Sequence, residues 1–158
     1  MTTISLEKPK AQPRLNYAQV APATLQGMLA LSDVVKKSGL EESLLHLVDI
    51  RVSQINGCAF CLDMHIREAK AVGEADDRIN LISAWREVDL YTDRERVALQ
   101  WAESLTRLAD GHVSDDDFAA VREEFTEAEL ANLSLAIVAI NGWNRLNVGF
   151  KVPPGFGD

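Results

Sequence analysis

Two cysteines, Cys58 and Cys61, stand three positions apart in the stretch NGCAFCLDMH, and His65 follows the second by four residues. On a helix that begins at Cys58 these are positions i, i+3 and i+7, so all three side chains share one face and can meet. A thiol is nucleophilic only as the thiolate. Two influences favour the anion here: the unpaired backbone N–H groups of a helix start, and an imidazole able to take the proton. Together they bring a cysteine from about 8.5 into a range of roughly 3.5 to 7.5, where it attacks a peroxide or a disulfide. His65 lies one turn from Cys61 and two turns from Cys58. Spacing therefore favours Cys61 as the thiolate that reacts with peroxide and becomes a sulfenic acid, and Cys58 as the resolving thiol that closes a disulfide.

The same residues admit two other chemistries. Cys58, Cys61 and His65, joined by His46, have the ligand types of a structural zinc site, although ligands one turn apart on continuous helices lack zinc-finger geometry. Alternatively the pair is two buried thiols beside a hydrogen-bonded core histidine, because free cysteine is among the most buried residue types.

Nearly every segment that could position these residues has helical period. Pro22 opens a helix carrying Leu25, Met28, Leu29, Leu31, Val34 and Val35 that stops at Gly39. A second runs from about Glu41 to Ile55 and ends at Asn56-Gly57, a pair suited to a left-handed helix terminus. The third runs from Cys58 to Val72, and a fourth from Ala75 to Glu87 carries Ile79, Ile82 and Trp85. Thr92–Glu95 and Thr126–Glu129 have capping-box spacing, and the helix opened by the second, reaching about Val148, is apolar on almost every side and belongs inside. Ser114 starts a short helix whose acidic head, Asp115-Asp116-Asp117, offsets the helix dipole without calling for a metal. The expectation is an all-α fold of about seven helices. It comprises an extended N-terminal arm over residues 1–19, a helical domain over 20–152 and a short tail over 153–158. The first, fifth and seventh helices carry more apolar surface than a short chain easily covers, which points to subunit contacts. His112 sits in a loop with no partner nearby in sequence, and Trp85-Arg86 and Trp143-Asn144-Arg145 read as core tryptophans with snorkelling arginines or, alternatively, as the lining of a pocket or subunit interface.

Bulk properties narrow the field of functions. A chain of 158 residues with 47% hydrophobic and 25% charged residues suits one domain with its own core. A net charge of -8 argues against a broad surface for nucleic acid, which needs clustered Lys and Arg. The longest apolar run, Leu133–Ile140, is too short to cross a bilayer, and no secretory-type apolar run opens the chain, so a cytoplasmic protein without a membrane partner is expected. In a reducing compartment, two cysteines are more often catalytic, metal-binding or buried than a permanent disulfide.

The stretch from Leu47 to Cys61, followed by Asp63-Met64-His65, closely resembles the core motif of the carboxymuconolactone decarboxylase superfamily in its AhpD-like alkylhydroperoxidase branch. The run from Leu133 to Arg145 resembles that family's long helix, and the likeness extends over residues 20 to 150. The resemblance implies a helical homo-oligomer, a trimer or hexamer, with the CxxC pair at a helix start in a small pocket. It also implies a thiol peroxidase without a bound cofactor, in which Cys61 attacks the hydroperoxide, Cys58 resolves and His65 passes the proton. The electron donor would be a dithiol or a lipoyl-bearing protein. Two positions depart from the pattern: His46 stands where the family's relay glutamate would be, twelve residues before Cys58, and Phe60 replaces a histidine between the cysteines. His46 is a candidate base suited to neutral pH, and Glu42, one turn earlier, is a candidate for restoring the carboxylate. The lactone decarboxylase branch, whose chemistry needs no CxxC, is the alternative within the superfamily.

Overall fold

The computed structural model describes residues 11–158, and every regular element among them is helical. Short α1 (Tyr17–Val20) leads into α2 (Pro22–Lys36), α3 (Glu42–Asn56) and α4 (Ala59–Ala71). The small α5 (Asp76–Asn80) follows, then a 3₁₀ segment (Ile82–Glu87), α6 (Asp93–Thr106), a 3₁₀ turn (Leu108–Asp110), α7 (Asp115–Glu124) and the long α8 (Glu127–Gly149).

Both capping boxes form. The Glu95 amide donates to Thr92 Oγ1 at 3.2 Å while the Glu95 carboxylate accepts from the Thr92 amide at 2.8 Å, and Thr126 and Glu129 repeat the pattern at the head of α8. The helix expected over 75–87 is broken instead. Arg78's carbonyl, which a continued helix would offer to an amide one turn on, is taken by the Tyr91 hydroxyl, and Ala84 leaves helical geometry at φ -114°, ψ 27°. The break lets Ile82 and Trp85 both turn into the core, where they are buried.

The centre of the molecule is α3, packed on α4, α6 and α8. One side of it, with Leu44, Val48 and Val52, joins Leu133, Ile137 and Ile140 of α8 and both cysteines in the larger core. The other side, with Leu47 and Ile50, joins Ile79, Ile82, Trp85 and Leu99. A helix buried on two opposite sides fixes its remaining polar residues tightly, and those residues build the site described below.

By contrast, α2 buries none of its residues, lies against α8, and leaves Leu29 and Val34 about half exposed. Residues 1–10 of the expected arm lie outside the described part of the chain. Its last residues are helical rather than extended, and the backbone just before them is tied to the end of α8 by the Arg14 amide donating to the Phe150 carbonyl at 2.7 Å. The expected tail over 153–158 forms turns, and its last residue, Asp158, pairs with Arg67 of α4 at 2.9 Å.

Candidate active site

The corner between α3 and α4 is made by two residues. Gly57 takes the left-handed conformation (φ 68°, ψ 33°) that ends α3, where a side chain would be strained. Cys58 is then the N-cap of α4 with extended backbone, and its sulfur accepts the Cys61 amide N–H at 3.3 Å, the role a serine or aspartate oxygen usually fills. Both cysteines are free thiols and both are 1% exposed.

The hydrogen bonding sets the two sulfurs apart. The Cys61 thiol donates to the Cys58 sulfur, and the Cys61 and Phe60 amides and the Asn144 side chain add to it, so that the Cys58 thiol falls to about 7 although burial opposes the charge. Cys61 moves the other way, because it keeps its proton as the donor to Cys58 and because burial disfavours a second anion. The pair therefore loses its first proton near neutrality and holds the second between the two sulfurs. Hydrogen bonding thus favours the anion on Cys58 and the proton on Cys61, while spacing to His65 favours Cys61 as the sulfur that meets peroxide. The helix-start N–H groups reach the capping sulfur, and the His65 ring is engaged by carboxylates.

Those carboxylates come from α3 and α4. His65 Nδ1 lies 3.1 Å from Glu68 Oε2 and 3.6 Å from Asp49 Oδ2. Burial works against the imidazolium, but Asp49 and Glu68 outweigh it and raise the His65 pKa. Burial pushes the Asp49 carboxyl up against the pull of His65 and His46, and its hydrogen bond with His65 holds Glu68 down. His46 is buried on α3 beside this group, whereas the exposed Glu42 stands 3.8 Å from its Nε2, beyond hydrogen-bond reach. Asp49, one turn after His46 on α3, thus places a carboxylate beside His65, while Glu42 places one beside His46 at the longer distance.

On the opposite side α8 supplies a ladder of amides. Asn147 Nδ2 donates to Cys61 Sγ at 3.5 Å, and the Tyr17 hydroxyl of α1 donates to Asn147 Oδ1 at 3.2 Å. Asn144 donates to Ser53 Oγ and accepts from Asn56 Nδ2, each at 3.0 Å, and Asn56 also donates to Asn141 Oδ1 at 3.0 Å. Burial, then the nearby Cys61 and Cys58 sulfurs, raise the Tyr17 pKa, which keeps its proton on the oxygen as a donor.

Of the residues singled out from the sequence, Cys58 and Cys61 meet directly, and His65 and His46 gather around Asp49. The four-ligand zinc set drawn from Cys58, Cys61, His46 and His65 is not assembled: among the described residues the metal-ligand cluster is His46, Asp49 and His65, without either sulfur. The sulfurs lie under protein atoms, and surface hollows occur elsewhere, one along Arg122–Glu129 and one around Glu41, Leu44 and Arg94. Asp49, Asn147 and Tyr17 escaped the sequence reading as site residues, and Asn144 entered it only within the Trp143-Asn144-Arg145 run. Asp49 alone left a signal, being three residues after His46 and so on its face of the helix.

Comparison with known proteins agrees with this architecture. The family model described as the carboxymuconolactone decarboxylase family matches residues 22–104. The uncharacterized protein YdfG of Bacillus subtilis (strain 168) is 38% identical over 135 residues, covering 85% of this chain and 92% of that protein. A crystal structure of ATU0492 from Agrobacterium tumefaciens, a protein of unknown function provisionally named an antioxidant defence protein AhpD, is 42% identical with a TM-score of 0.88, over 90% of this chain and 98% of that one. An uncharacterized peroxidase-related protein from Ralstonia eutropha JMP134 with an alkylhydroperoxidase AhpD core shares the fold at a TM-score of 0.77 and 18% identity, over 90% of this chain and 77% of that one. The chain therefore belongs to the carboxymuconolactone decarboxylase family, in its AhpD-like branch.

Proposed function

We propose that the protein is a thiol peroxidase that reduces an organic hydroperoxide by cycling Cys58 and Cys61 between dithiol and disulfide. The observation that carries this reading is the capping sulfur of Cys58, which holds an anion near neutral pH in contact with the second thiol. Cys58 first acts as base: the proton between the sulfurs moves from Cys61 to Cys58, leaving the charge on Cys61 beside the Asn147 amide. The Cys61 thiolate attacks the terminal peroxide oxygen, the O–O bond breaks, and the departing alkoxide takes a proton from His65 to leave as the alcohol. His65, now neutral, removes the proton from Cys58. The Cys58 thiolate attacks the sulfenic sulfur of Cys61, and hydroxide leaves with the His65 proton as water. One hydroperoxide and two thiols thus become an alcohol, water and one disulfide.

An external dithiol, free or on a lipoyl-bearing protein, returns the disulfide to thiols. A thiol-reducing compartment such as the cytoplasm suits this cycle. The half-exposed Leu29 and Val34 of α2, a helix with no fully buried residue in one chain, support assembly of copies into a trimer or hexamer, which light scattering on the purified protein would detect.

The test is turnover of an organic hydroperoxide with a dithiol donor in wild type, Cys58→Ser and Cys61→Ser. Both variants should lose turnover, and Cys58→Ser should accumulate a sulfenic acid on Cys61 that a dione reagent traps. Trapping on Cys58 in the Cys61→Ser protein instead would exchange the two roles. Wild-type turnover no faster than that of the variants would reject the reading.

A further inference from the structure

The polar group beside the thiols has its own ligand geometry. His46 and Asp49 project from α3 and His65 from α4, and one donor atom of each lies within 4.8 Å of the other two. His46 is 91% buried by its 9% exposure, and neither ring nitrogen finds a hydrogen-bond partner among the described residues. Leaving a buried polar group unsatisfied destabilises a fold, so a lone pair held this way needs a reason. A cation supplies one.

We infer that His46, Asp49 and His65 form a binding site for a divalent transition metal ion of the zinc class. Two imidazoles and one carboxylate are the donor set that such ions take when coordination positions are left for water or substrate. Bond lengths of about 2.0–2.1 Å to nitrogen and about 2.0–2.2 Å to oxygen bring the donors of a tetrahedral site to roughly 3.3–3.5 Å from one another. Asp49 Oδ2 and His65 Nδ1 are already 3.6 Å apart. The 4.8 Å limit on the remaining separations leaves at most about 1.5 Å to close, within reach of side-chain rotation. Glu68 Oε2, 3.1 Å from the same His65 nitrogen, is placed either to yield that nitrogen or to join as a further oxygen ligand. The ion leaves both sulfurs free. Where the peroxidase reading holds, it occupies the proton carrier His65, so metal-loaded protein stops turning over while its thiols still alkylate.

The experiment is calorimetric titration of chelator-treated full-length protein with Zn²⁺, paralleled by Co²⁺ absorption. It is run on wild type, the double variant Cys58→Ser/Cys61→Ser, His46→Gln and Asp49→Asn. Expected are one ion per chain, affinity in the double cysteine variant within about threefold of wild type, and a Co²⁺ spectrum without a thiolate-to-metal charge-transfer band. His46→Gln and Asp49→Asn should weaken binding by more than about 100-fold, beyond the 10–100-fold typical of groups that only support a ligand. Absence of saturable binding to wild type, loss of binding in the double cysteine variant, or binding that survives both ligand substitutions would overturn the site. If the ligand variants fail to fold by circular dichroism, two wild-type measurements decide it: the Co²⁺ spectrum and a melting temperature that climbs with Zn²⁺ concentration. Failure of the peroxidase assay leaves these binding results untouched, so the two readings stand or fall separately.

Discussion

On its two sides α3 carries two buried polar groupings that differ in completeness. Around Glu103, Arg51 Nε donates at 2.7 Å, Trp85 Nε1 at 3.0 Å and Arg86 at 2.8 Å, and these donors hold the carboxyl below its ordinary value in spite of burial. Every strong partner is matched, as a buried charge requires if it is to stabilise a fold. Around Asp49 and the cysteines the matching is incomplete. His46 has no hydrogen-bond partner among the described residues, the two thiols shift in opposite directions, and the largely covered Asp49 carboxyl is pushed up rather than down. The first grouping spends its polar atoms on structure. The second keeps lone pairs and protons available, and perturbed groups of that kind mark sites of chemistry.

The contrast can be broken most forcefully at Glu103. Its replacement by alanine strands Arg51 in the interior, and urea unfolding should show a loss of about 3–5 kcal/mol. The Cys58 titration midpoint should stay near 7 in that variant. A loss below about 1 kcal/mol, or a moved thiol midpoint, would merge the two regions into one network.

A second experiment sharpens the other half. Because the folded-state value of Cys58 lies below that of a free thiol, the anion dominates above about 7 and is lost by protonation below it. Alkylation of the reduced protein should therefore accelerate about tenfold between roughly pH 6 and pH 8 and then level off, whereas an unperturbed cysteine keeps gaining past about 8.5. A profile still climbing at the higher value would remove the thiolate from the site.

The smallest effect is expected at the rim. Tyr17→Phe deletes the hydroxyl that orients Asn147, and a neutral hydrogen bond contributes about 0.5–1.5 kcal/mol. Peroxide turnover should fall by about two- to tenfold with the alkylation midpoint unchanged. A collapse of activity would mean that Tyr17 itself handles a proton.

What the sequence disclosed and what it withheld divide along separation in the chain. The helices around the site, their two capping boxes, the glycine at 57 and the CxxC at a helix start are all written in residues within one or two turns of each other. The partners of the sulfurs are not: Asn147 lies 86 residues from Cys61, and Tyr17 lies 130 from Asn147. Asparagines inside an apolar helix carry no periodic signature of what they face, and only the packing of α8 across α3 and α4 reveals it. The break after α5 was illegible for the same reason, since Tyr91, from beyond the segment, competes for its backbone. The hydrogen bonds that set the two sulfurs apart were illegible too, because spacing counts turns to an imidazole but does not show which carboxylates already hold that ring.

The N-cap of α4 ties the chemistry to the mechanical integrity of the helix. While Cys58 is reduced its sulfur anchors the Cys61 amide. Once that sulfur is bonded to its neighbour it loses its negative charge and becomes a poor acceptor, and an N-cap contact is worth about 1 kcal/mol. Each oxidation therefore loosens the first turn of α4, so amide exchange at Cys61 should quicken in the disulfide form, and a reductant docking at this corner would meet a softer surface than the one peroxide met.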